Sequence, residues 1–230
     1  VFFLVTRLTT QIYAPILGSV RDEVLQGTAD ASQLLPLFRW VVAGATLGGI
    51  VGWALMPTFV EIYNRAIAAL EKRQGSMTLL LRDSLRPSAL KALWKCLRLP
   101  STFQVKLHDL QPLPKGFLVA NIIVVGIHVI GVLAAIQAGA ELSGHLARTA
   151  TLLSSVINGG ATILGSLVVD PWAAKLTDEA AHGERSLHQI EAMALFLCLG
   201  GILGTVLSQV LFTPSVQIIV WGARLLNYLF

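Results

Sequence analysis

The sequence predicts an all-α polytopic membrane protein, a single membrane domain over 1–230 built from two inverted three-helix repeats, with helical segments expected before Val1. Three observations carry that expectation: long apolar runs, an internal duplication, and an uneven spread of basic residues. Of 230 residues, 54% are hydrophobic and 13% charged, and several apolar runs reach the roughly 20 residues a helix needs to cross about 30 Å of hydrocarbon. Ile16-Leu17-Gly18-Ser19 recurs as Ile163-Leu164-Gly165-Ser166, and each copy is followed by Gly-Gly-Ile-x-Gly, at Gly48–Gly52 and again at Gly200–Gly204. Extending the first match places Gln11 over Asn158, Ala14 over Ala161 and Glu23 over Asp170, so polar and small positions agree along with the apolar ones.

The first span, 1–18, begins inside its own apolar run, and Val1 is not an initiator methionine. Upstream membrane segments are therefore expected. A cleaved signal peptide would need a basic start and a small-residue cleavage site, and this run carries Arg7 instead. Pro15, three residues before Gly18, predicts a helix break there, matched in the second repeat by a break at Gly159-Gly160. Residues 37–58 form the next span and close the first repeat at 58. Its Gly44, Gly48 and Gly52 make a small-residue ridge for close helix packing, one step of which returns as Gly200 and Gly204.

Residues 59–115 carry ten of the seventeen Lys and Arg against four acids. The loops at 19–36 and 139–148 hold one Arg each, so the long loop is assigned to the cytoplasm. Within it, 59–74 continue the preceding helix past Pro57. After Pro87 an amphipathic helix sets Leu90, Leu93, Trp94 and Leu97 opposite Lys91, Lys95 and Arg98, a pattern that lies on an anionic leaflet. The second repeat, 116–230, holds spans at 116–138, 149–169 and 190–213. Helix counting returns the acid-rich 170–189 loop to the cytoplasm. The first Ile-Leu-Gly-Ser copy then leaves the membrane outward and the second inward, as an odd number of crossings per repeat requires. Such repeats recur in alternating-access carriers, with the substrate site at the repeat interface near the midplane.

Polar side chains inside the apolar runs indicate the chemistry. Arg7, with Thr6, Thr9, Thr10 and Gln11 around it, lies within a span, where a guanidinium costs at least ~2.5 kcal/mol unless it meets an anion or a polar cavity. Arg39 stands at the start of the next span, either as a site residue or snorkelling to the surface. Asn121 and His128 share a helical face, as do Asn158 and Thr162, and each side chain fits an interhelical hydrogen bond as well as a substrate contact. No phosphate-binding loop, His-Glu-x-x-His helix or nucleophile elbow occurs, so no enzyme activity, metal site or cofactor is expected. Cys96 and Cys198 fall in different segments and indicate no disulfide. Ordinary positive-inside bias accounts for the basic loop without nucleic acid.

Thr6-Arg7, the run Ala14-Pro15-Ile16-Leu17-Gly18-Ser19, the stretch from Ile157 through Val169-Asp170-Pro171, and Thr177-Asp178-Glu179-Ala180 resemble the Amj family, alternate lipid II flippases of bacteria. The resemblance implies a six-helix protein of the bacterial cytoplasmic membrane. It would carry undecaprenyl-diphosphate-linked disaccharide-pentapeptide across that membrane for peptidoglycan synthesis. Such a protein needs a polar cleft for an anionic headgroup, while the polyprenyl tail stays in lipid. The expected diphosphate ligands are Arg7 and Arg39. Asn121, His128, Asn158 and Gln209 are expected to contact sugar or peptide, and Glu61 and Asp170 to gate or pair with the basic residues. Six helices leave a small interior for so large a headgroup, so a homodimer is expected. The alternatives are a carrier or channel for a small anion, and a non-transporting envelope assembly factor.

If Arg7 binds or gates the diphosphate, Arg7→Ala abolishes lipid II transport at normal membrane abundance, while Arg7→Lys keeps the charge, loses the bidentate fork and transports partially. Should Arg7 instead pair with a buried acid such as Glu61, Arg7→Ala strands a carboxylate and membrane abundance falls. Quantitative immunoblotting of membranes beside a lipid II translocation assay separates the two.

Overall fold

The computed structural model describes residues 12, 15–20, 22–24, 26–27, 33–71, 95–98 and 113–229. Among them the chain is all helical. Helix α1 spans Leu34–Glu71, α2 Lys115–Glu141 and α3 Gly144–Leu164. A π-helical turn, Gly165–Val169, joins α3 to α4, Asp170–Ala181, and α5 spans Leu187–Leu229. Four stretches among the described residues are long and apolar enough to cross a membrane: Leu34–Leu70, Lys115–Glu141, Gly144–Ala181 and Gln189–Leu229.

The helices outrun the apolar runs that predicted them. As expected, α1 continues through Pro57, and its 38 residues make a rod of about 57 Å at 1.5 Å per residue. Pro214 likewise lies inside the 43-residue α5. Most of the 170–189 stretch, read from sequence as a loop, is helix α4. Its carboxyl end is closed by backbone bonds from Gly183 to Ala180 and from Glu184 to Glu179, and by an Arg185–Glu179 ion pair.

Two further expectations need correction. The break predicted at Gly159-Gly160 is absent, because both glycines continue α3 and the irregularity falls one turn later, at Gly165–Val169. A π turn keeps the backbone hydrogen-bonded while inserting an extra residue, so the chain adjusts its register without exposing peptide groups to lipid. The counterpart at Pro15 borders Tyr13 and Ala14, which lie outside the described residues. Residues 87–94 of the amphipathic helix expected after Pro87 lie outside the described residues, and Leu97 and Arg98, which it was expected to include, are not helical. Lys95 and Cys96 form a turn, and the Arg98 backbone exchanges hydrogen bonds of 3.0 and 3.2 Å with the Thr58 hydroxyl instead.

The core forms where α2 is wedged between α3 and α5. Parallel helices α2 and α5 meet backbone to backbone: a Cβ on Gly204 would lie 2.7 Å from the Ile122 carbonyl oxygen and 3.1 Å from the Gly126 nitrogen. Ser208 completes the contact, its hydroxyl 2.9 Å from the Gly126 carbonyl and 2.8 Å from that of Gly204. Helix α1 runs antiparallel along α5, with the Phe38 and Phe212 rings 6.3 Å apart and inclined at 59°. Leu34, Phe38 and Val42 join Ile130, Leu133, Phe212 and Val216 in one cluster, which Leu17 also enters. A smaller cluster of Leu113, Phe117, Leu176 and Met193 closes the end of the bundle near Lys115.

Of the glycines expected to pack, Gly200 and Gly204 do. Gly44, Gly48 and Gly52 instead meet no atom within 4 Å among the described residues, and their neighbour Gly49 makes the contact to α5, against Ile202. Gly204→Ala should therefore force α2 and α5 apart at a cost of about 1–3 kcal/mol. Gly201→Ala, on an open position of the same helix, should be neutral or stabilising by up to about 1 kcal/mol. Thermal unfolding of the two variants in detergent checks the contrast.

Candidate functional site

Register between helices sets the height of each polar side chain. His128 is the middle residue of α2, and Ser208, bonded to Gly126, places the adjacent Gln209 near that mid-height. Arg39 meets α5 there. Its guanidinium donates to the Thr213 hydroxyl at 3.2 Å and to the Gln209 carbonyl at 3.4 Å, while the Gln209 amide donates back to the Arg39 carbonyl at 2.8 Å. The Arg39 side chain is exposed, and no carboxylate pairs with it among the described residues. The structure thus joins two residues singled out by sequence and adds Thr213.

A second polar group lies along the antiparallel seam of α2 and α3. His128 Nε2 is 3.2 Å from the Thr162 hydroxyl, which donates to the Asn158 carbonyl at 2.8 Å. With the hydroxyl proton committed to that carbonyl, Nε2 is the donor to Thr162, which fixes the tautomer. The Asn158 side-chain oxygen is buried without a hydrogen-bond partner among the described residues and stands over Gly131, where a Cβ would lie 2.2 Å away. Only glycine allows that approach.

The other expected residues stand elsewhere. Asn121, about two turns below the middle of α2, donates to the Leu197 carbonyl at 3.1 Å and packs on Gly200, tying α2 to α5. Glu61, on α1 beyond Pro57, pairs with Arg65 at 2.7 Å and with Arg98 at 3.6 Å. Asp170 is exposed at the start of α4. Arg7 lies outside the described residues. Thr213 and Ser208 escaped sequence reading because hydroxyls are common in membrane helices and neither belongs to a repeated motif. A shallow cleft of about 290 Å³ opens between α2, α3 and α5 at the height of Gly131 and Gly160. Among the described residues, no cluster of His, Cys, Asp and Glu suits a metal ion.

The family model described as "Amj: Alternate to MurJ" matches residues 1–223. The chain belongs to the Amj family. One relative, the Lipid II flippase Amj of Bacillus subtilis (strain 168), is 33% identical over 221 residues, covering 96% of this chain and 81% of that protein. No solved structure matches the chain. For this Amj-family chain, the Asn121 geometry predicts a packing role. Asn121→Ala should lower stability by about 1–3 kcal/mol, through the lost bond to α5 and the void left beside Gly200. Transport per folded molecule should stay unchanged when both are measured on one purified preparation.

Proposed function

We propose that this chain is a lipid II flippase of the bacterial cytoplasmic membrane, and that Arg39, steadied by Gln209 and Thr213, receives the lipid diphosphate. One observation carries the proposal: a guanidinium near mid-height of the bundle that is exposed and bonded only to neutral acceptors among the described residues. A cation held within hydrocarbon costs several kcal/mol unless an anion compensates it. A diphosphate offers that anion together with the paired oxygens that suit the fork of arginine. The named relative supports lipid II as the cargo. The chemistry asked of the protein is transport, with no bond made or broken.

Inverted repeats and alternating access form part of the same reading. Gly49 of the first Gly-Gly-Ile-x-Gly copy faces Ile202 of the second, with 3.1 Å between a Cβ built on Gly49 and Ile202 Cγ1. Where a two-fold axis lies in the membrane plane, equivalent residues of an antiparallel helix pair meet at the axis. Gly49 corresponds to Gly201 in the repeated motif, so its contact with Ile202 falls one residue from such a pair and supports an axis near that point. The two Ile-Leu-Gly-Ser copies also lie at different heights, Leu17 in the cluster with Leu133 and Phe212, Gly165 against Val124. Rocking of one repeat on the other about Gly49 and Ile202 would open the Arg39 site to each side in turn. Arg7, His128 and Asn158 complete the polar path in this scheme. Glu61, held by Arg65 and Arg98, and Asp170 mark its cytoplasmic end, and a homodimer enlarges the space for the headgroup.

Reconstituted into liposomes with labelled lipid II, the wild type should move the lipid between leaflets. Arg39→Ala should slow transport by about tenfold to a hundredfold, the loss expected for a charged hydrogen-bonded contact, and Arg39→Lys should be intermediate. Both variants should reach the membrane in normal amounts, since no carboxylate among the described residues is stranded. Wild-type transport by Arg39→Ala would defeat the assignment. Uptake of free pyrophosphate without lipid II movement would establish a small-anion carrier in its place.

A further inference from the structure

We infer that the cleft between α2, α3 and α5 holds a stretch of the polyprenyl chain of the lipid whose diphosphate lies at Arg39, an inference that rests on the flippase reading above. The cleft has a volume of about 290 Å³, and its wall is apolar apart from the Ser215 hydroxyl. Gly131, Gly160 and Ala161 line it, and no side chain among the described residues comes within 4 Å of a Cβ built on Gly160, so the space is left by small residues. Water needs two to four polar partners to occupy such a site, and one hydroxyl does not supply them. Hydrocarbon is the occupant that the wall chemistry accepts.

The position of the cleft on α5 favours the substrate's own chain. Gln209 and Thr213 face α1 and Arg39, whereas Leu211, Ser215 and Ile218 face the cleft. The two sites alternate along the same turns of one helix, at the same height, and between them runs the exposed strip of Val210, Pro214 and Gln217. A lipid with its diphosphate on Arg39 can lay its first isoprene units across that strip. The next units then enter the cleft past Ile218, which is 64% exposed at its rim. No step of this path crosses a packed helix interface among the described residues.

Shape provides the selectivity, because a lipid tail is as apolar as leucine and gains nothing from apolarity alone inside a bilayer. What a half-enclosed cleft rewards is contact with atoms that fill it. Methyl-branched isoprenoid units are broader than a straight acyl chain and suit the widening at Gly160. Anchoring of the headgroup at Arg39 adds a second point of attachment that bulk phospholipid lacks.

Photo-crosslinking of the full chain in liposomes tests the inference. The probes are polyprenyl diphosphate carrying a diazirine in its first isoprene units and phosphatidylglycerol carrying one in its acyl chain. The polyprenyl probe should label residues 156–161 and 211–218, and Gly160→Leu or the rim variant Val156→Trp should lower that labelling by about tenfold. Arg39→Ala should lower it as well. Equal labelling by the phosphatidylglycerol probe would overturn the inference in favour of ordinary annular lipid, and crosslinks to a second copy of the chain would overturn it in favour of a protein interface. Unchanged labelling in both cleft variants would also overturn it. Lipid II movement is measured on the same liposomes. A wild type that moves lipid II while the cleft stays unlabelled refutes the cleft alone, and one that moves none refutes the flippase reading and this inference together.

Discussion

Gly126 and Gly204 allow α2 and α5 to meet at backbone distance, and the heights of Ser208, Gln209 and Thr213 against α2 follow from that contact. A side chain at either position would separate the helices, since the space a Cβ needs is already taken by the partner's peptide group. Ser208 then reaches across to the Gly126 carbonyl, and in hydrocarbon such a bond resists sliding because its breakage leaves a polar group without water. With α2 and α5 locked in register, Gln209 and Thr213 are held at mid-height, and α1 packs so that Arg39 meets them. The seam of α2 with α3 uses the same device at Gly131, whose bare Cα accepts the Asn158 side chain. Packing and polar placement are thus one event.

Charge in this bundle is handled differently at its two heights. Near the Arg98 end, Glu61 is neutralised by Arg65 and Arg98, on partly exposed side chains where ion pairs contribute little to stability. Near mid-height, Arg39 is oriented by acceptors that carry no net charge. Hydrogen bonds fix the direction of a guanidinium without cancelling its field, so attraction for an incoming anion remains. Pairing Arg39 with a carboxylate would satisfy it permanently and make exchange with a phosphate costly. On the flippase reading proposed above, the arrangement suits a site that binds and releases an anion.

Much of the fold was legible before any coordinate was known. A helix apolar on all sides and over 20 residues long has few alternatives to a membrane, and all four spans beyond residue 33 were placed within the helices observed. The failures share a cause. Gly159-Gly160 looked like a break because glycine is a poor helix former, but in a packed membrane helix the loss of backbone hydrogen bonds costs more than that preference, and α3 continues. Gly44, Gly48 and Gly52 share a face by their spacing, but spacing does not say what that face meets, and among the described residues they meet nothing within 4 Å. The acid-rich stretch after 170 looked like a loop because charge was taken to mark the membrane edge, whereas a helix can project beyond it.

Composition and periodicity determined that this chain is helical, where its apolar spans lie, and which residues carry charge or amides inside them. Those properties are local, set by transfer free energies and by the need of each peptide group for a partner within its own helix. Tertiary structure decided which of those residues meet. Arg39 and Gln209 lie 170 positions apart and share no motif. Their contact depends on the rotation and register of two helices, and these are fixed by glycines and a serine whose spacing alone names no partner. The buried oxygen of Asn158 and the cleft beside Gly131 likewise exist only once three helices surround them, because a void or a buried polar atom is a property of the packing and belongs to no single segment.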